Sequence, residues 1–241
     1  MSSHSAFAAA ADALADRVLG ALDGTGGAVQ LARYVDDAPD TLAALAAVRV
    51  LGADAFSPCL LAGHPLPAQD AAVVTKAFDS FPASGALEDP TIAWRDGATA
   101  HLLARLTPDT PSAPAPAPPP DGTGLDPADW RAWCVRMAPL APLATLALDG
   151  PVHEAARGGV LALSRGVSRS ILRRDFPTAV RLVRWLAWLH HEGTPLPLDP
   201  ALAAEHMWLV GGGGPRTALD LAIARHFLDQ RPVTGAKAEM R

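Results

Sequence analysis

At 241 residues the chain has room for one large domain or two small ones, and its 49% hydrophobic content is enough for a packed core. Two cysteines exclude a disulfide-stapled scaffold, and a formal net charge of −5 argues against a nucleic-acid-coating protein. The apolar fraction is mostly Ala and Leu, which keep their side-chain freedom in helices, while strand-forming aromatic and β-branched residues are few. An all-α fold follows, as an irregular bundle or short helical stack. Arg outnumbers Lys throughout, a compositional signature of a GC-rich genome.

From the N-terminus, helices are expected near 5–22, 27–35, 39–52, 68–80 and 97–106, with one short strand over Thr91–Arg95. No basic leader precedes the Ala-rich start, and Asp12 and Asp16 interrupt it, so no secretory signal is read there. No apolar run is expected to reach the roughly 20 residues of a membrane span. Both absences point to the cytoplasm and away from a membrane.

Residues 107–120 are dense in proline, which fixes φ and removes the amide donor, so helix and interior strand are both excluded. As a polyproline spacer the tract spans roughly 43 Å. Three segments follow: an acidic lobe over 1–106, a linker over 107–125 and a basic, Trp-rich lobe over 126–241. Residues 1–106 carry twelve acidic and six basic side chains, whereas 127–241 carry ten and fourteen. Such polarity favours docking of unlike surfaces within or between chains.

In the second lobe helices are expected near 129–138, 140–149, 152–174, 177–191, 200–210 and 217–229. Asp126 and Asp199 precede prolines as capping residues, and Thr217 with Asp220 resembles a capping box. The run at 178–190, apolar nearly all round except for Arg181 and Arg184, is expected to be a central buried helix. Gly211–Gly214 reads as a helix stop and restart, since the Lys-Ser/Thr pair of a phosphate loop is missing.

A helix, a Pro-Leu-Pro loop and a second helix occur around Pro65–Pro67 and again around Pro195–Pro197, which suggests a duplicated unit. Its loops carry Cys59 and His64 in one copy and His190, His191 and Glu192 in the other. Converging loops would offer a thiolate, imidazoles and a carboxylate for nucleophile–base chemistry. His190 and His191 diverge by about 100° on a helix, and the set has no familiar metal-ligand spacing, so neither a metal nor a cofactor is expected. His153, Glu205, His206 and His226 read as isolated surface or interfacial groups.

Arg165, Arg169 and Arg173 repeat at four-residue spacing opposite an apolar stripe, a ridge suited to an acidic partner or a phosphate. Three function classes remain. The first is a non-catalytic helical adaptor or accessory subunit that binds a protein partner or itself. The second is a small-molecule-binding protein or helical enzyme using the Trp-rich lobe. The third is an anion binder on the Arg ridge, nucleic acid being the least favoured ligand.

Overall fold

The computed structural model describes residues 3–82, 90–108, 129–210 and 213–230. Among them every regular element is helical and no strand occurs. The chain divides into two compact units, Met1–Pro119 and Pro120–Arg241. Residues 109–125 of the expected linker, and the Asp126 cap, lie outside the described residues.

The first unit contains α1 (Ser3–Leu22), α2 (Leu31–Asp36), α3 (Thr41–Leu51), a 3-10 turn (Gly52–Phe56), α4 (Ser57–Leu61), α5 (Ala68–Ser80) and α6 (Pro90–Leu106). Asp40 starts α3 by accepting a hydrogen bond from the Ala43 amide. Alanines at 43, 44 and 47 let α3 lie close against its neighbours α1 and α5, around Leu14, Val18, Leu45, Val48 and Val74. Gly52 ends α3 with φ +58°, and a Cβ there would lie 2.9 Å from Thr99 Oγ1 of α6. Arg49 crosses to Asp96 at 2.6 Å and stacks 4.7 Å from the Phe78 ring, tying α3 to α6.

Two expectations fail in this unit. Thr91–Arg95 is the opening of α6 instead of a strand. Pro90 occupies the first helical position, and Ala98, Thr99 and Leu102 bury the same helix, so packing overrides local β preference. The segment Thr41–Leu61 does reach 21 residues, and by length and composition alone it is apolar enough to cross a membrane. Its apolarity is used inside the fold: 67% of the window is buried, and Gly52 breaks it into three pieces.

The second unit contains α7 (Trp130–Met137), a 3-10 turn (Ala138–Leu143), α8 (Pro151–Gly158), α9 (Val160–Leu172), α10 (Phe176–His191), α11 (Pro200–Val210) and α12 (Pro215–Asp229). The first, third and fourth of its helical stretches begin at Asp129, Gly159 and Asp175, and both aspartates accept amide hydrogen bonds as caps. Helix α10 is the hub, packed against α9, α11 and α12, and its residues 182–189 are all buried. The expected helix over 140–149 is absent because Pro139 and Pro142 lack amide donors, leaving a 3-10 turn and a loop.

The expected continuous helix over 152–174 is split at Gly158–Gly159. The Trp133 indole occupies the space where a Gly159 side chain would stand, with Cη2 only 2.3 Å from an ideal Cβ. Each unit holds one helix–loop–helix around its Pro-Leu-Pro: α3 with α5, and α10 with α11. They share that outline only. Residues 52–61 intervene in the first, while α11 follows α10 directly.

Candidate functional site

The residues singled out from sequence are described within the unit that holds each of them. Cys59 is half-buried, and its thiol is pushed up to about 11 by burial and by the Asp70 carboxylate. A thiol so placed stays protonated at neutral pH and is a poor nucleophile. Asp70 itself is occupied, accepting the Ala32 amide at 2.9 Å. The His64 amide donates to Pro58 O at 3.1 Å, which folds the loop back on α4.

His191 and Glu192 belong to the second unit and diverge from one another. His191 is buried and tilted against Phe227, with ring centroids 6.1 Å apart. Its Nδ1 has no hydrogen-bond partner among the described residues. Glu192 turns to Arg157, which donates through Nε at 2.9 Å and Nη2 at 2.8 Å. That fork-to-carboxylate pair is joined by Asp149 at 3.0 Å and Glu154 at 2.6 Å. Arg157 also lies 5.0 Å from the Trp188 ring. Its pKa is raised, chiefly by Glu192 and then by Asp149, so the guanidinium is a permanent clamp between the end of α10 and α8.

Beneath the clamp sits His153, in the interfacial one of the two settings expected for it. It is buried and stands edge-on to Trp185 and Trp188 at 5.7 and 5.1 Å. Its Nε2 is 2.9 Å from Leu143 O, so the neutral ring donates there. Burial lowers its pKa, more than the carbonyl contact opposes. The sign follows: the stabilisation is complete above the ordinary value of 6.5 and is lost as pH falls below it, because the unfolded chain binds the proton more readily. Urea unfolding between pH 7.5 and 5.5 is expected to show this loss, at up to about 1.4 kcal/mol per pH unit. His153→Phe should remove that part of the slope while lowering stability at pH 7.5.

The remaining aromatic pattern is mostly core. Trp133, Trp185 and Trp188 are fully buried, and Trp185 Nε1 donates to Met137 O at 3.1 Å. The supposed capping box dissolves as well: Asp220 points inward to Arg184 at 2.9 Å, while Gly214 starts α12. The ridge arginines Arg165 and Arg173 are exposed and Arg169 is half-exposed. They share α9's outer surface with Leu161 and Leu172, so that surface is mixed and not purely basic. Among the described residues no three His, Cys, Asp or Glu side chains gather closely enough to hold a metal.

The feature that local packing does not absorb is α11. Asp199 starts it, accepting the Ala201 amide at 2.8 Å, with Pro200 as the first helical residue. Pro200, Ala203, Ala204 and Met207 seat it on the rest of the unit. The other side keeps Leu202, Trp208 and Leu209 exposed, at 64%, 62% and 75%. Trp208 is stacked 4.9 Å from Arg225 of α12. It borders an apolar groove of about 180 Å³ with Phe176, Val180, Met207 and Leu221. That volume is below the roughly 300 Å³ at which small-molecule pockets begin. Apart from Glu205 and His206 the helix is apolar, so three large apolar side chains left exposed on one short helix stand out in this unit. Comparison with family models, curated proteins and solved structures returned no match.

Proposed function

We propose that the chain is a helical protein-interaction module, an adaptor or accessory subunit, whose contact surface is the outward side of α11. The observation that carries this reading is the exposure of Leu202, Trp208 and Leu209 on α11, where Glu205 and His206 are the only ionisable side chains. Seating of α11 on its own unit is met by the Pro200, Ala203, Ala204 and Met207 side, which leaves Leu202 and Leu209, two turns apart on one line of the helix, available to a partner. Of the three, Trp208 is the residue type enriched at the centres of protein contacts.

The competing candidates for chemistry are occupied elsewhere. Glu192 is clamped by Arg157, and the Cys59 thiol is held in its protonated form. Leu209→Glu places a charge on the exposed side of α11 without reaching the core. Affinity capture from native extract with tagged wild-type chain is expected to retain a protein that the Leu209→Glu chain does not. Identical retention by the two chains would remove this reading.

A further inference from the structure

We infer that the occupant of the α11 surface is α11 of a second copy of this chain, packed parallel to it about a two-fold axis along the helix. This rests on the reading of α11 as the contact surface, and it follows from the order of residues there. Ala201, Leu202, Glu205, His206, Leu209 and Val210 are all exposed, while Ala203, Ala204 and Met207 face inward. At 100° per residue, Leu202 and Leu209 fall within about 20° of one line, separated by about 10.5 Å along the axis. Glu205 then lies about 50° to one side of that line, and His206 about 50° to the other.

The flanks decide the direction of pairing. A two-fold axis running along the helix carries each flank across to the opposite flank of the partner. Glu205 of one copy meets His206 of the other, one residue apart in height, and the pairing occurs twice. The leucines meet as Leu202 with Leu202 and Leu209 with Leu209, forming two apolar layers. An antiparallel arrangement keeps each flank on its own side, so Glu205 meets Glu205 and the carboxylates repel. The parallel pair, in which each Glu205 carboxylate faces an imidazole that can donate to it, is therefore selected over the antiparallel one.

Only three turns of helix take part, so association is concentration-dependent. Sedimentation velocity on the full chain, from about 1 µM to about 100 µM, is the test. The weight-average mass is expected to climb toward twice that of the monomer. Leu209→Glu should abolish the climb. His206→Glu, which sets carboxylates across the seam, should weaken association about tenfold or more, and Glu205→Lys, which takes away the carboxylate that His206 faces, should weaken it as well. The double variant Glu205→Lys/His206→Glu should recover to within about threefold of wild type, because Lys then meets Glu across the parallel pair. All these positions are exposed, and unchanged circular dichroism confirms that each variant folds.

Failure of the double variant to improve on either single one would overturn the parallel register. A wild-type chain that stays monomeric throughout would overturn the homotypic partner. If that monomer still retains a different protein that Leu209→Glu loses, α11 remains the contact surface and only the second copy is excluded. A monomer with no such protein removes both readings.

Discussion

Asp220→Ala is expected to destabilise the second unit by about 3–5 kcal/mol, the cost of leaving a buried guanidinium without its counter-ion. Arg184 is 1% exposed in the middle of α10, and Asp220 reaches it from α12 at 2.9 Å. Arg181 also approaches the same carboxylate at 3.5 Å, from the more exposed edge of α10. Ala144 O accepts from Arg184 Nη2 at 3.5 Å, a long contact that cannot replace a carboxylate. Replacing both partners together, as Arg184→Met with Asp220→Leu, should recover most of the loss, since two buried charges are then never desolvated. Urea unfolding of the two single variants and the double one checks this. A double variant as unstable as Asp220→Ala would show that the pair is required for packing and not merely for charge balance.

Gly159→Ala is expected to cost about 2–3 kcal/mol through overpacking. The added methyl would stand 2.3 Å from Trp133 Cη2, 2.6 Å from Cζ2 and 2.9 Å from Ala155 O. Trp133 is fully buried, so the indole has nowhere to retreat. The adjacent Gly158 is an internal control. Nothing lies within 4 Å of a Cβ built there, and its φ is not positive. Gly158→Ala should therefore be neutral or stabilise by about 0.4–1 kcal/mol through the unfolded chain. Trp133→Leu in the Gly159→Ala background should cost less than the sum of the single changes, because the smaller side chain vacates the contested space. Equal losses at 158 and 159 would show that chain stiffness, and not the indole, sets the cost.

The all-helical class was legible because Ala and Leu recur at helical spacing and because aspartates mark starts, as Asp40 and Asp199 do. The breaks were harder to read. Gly158–Gly159 stands inside a pattern whose apolar period runs through it, and the reason for the break is Trp133, distant in sequence. Thr91 and Ile92 favour a strand locally, but the burial that makes them helical comes from residues up to Leu102. Thr217 and Asp220 illustrate a further limit: the same spacing that caps a helix also places a carboxylate one turn in, where Arg184 takes it.

The candidate surface was less visible still. Leu202, Trp208 and Leu209 read as core side chains, so nothing marked α11 as the helix left half uncovered. Which side stays open depends on where α10 and α12 pack, and that is decided by residues outside α11. The sequence left His153 open between surface and interface for a related reason, since its partner is a backbone carbonyl, which leaves no trace in side-chain pattern.

The central position of α10 also bears on synthesis. Its partners lie on both sides of it in the chain, α9 before and α11 and α12 after. While the ribosome is still making the residues after His191, the hub helix is complete but the part of its surface that α11 and α12 cover is still open. Arg184 waits in the same interval for Asp220, 36 residues later. The core of the second unit is therefore complete only when α12 has emerged. Until then the nascent chain presents the kind of surface that holdase chaperones bind.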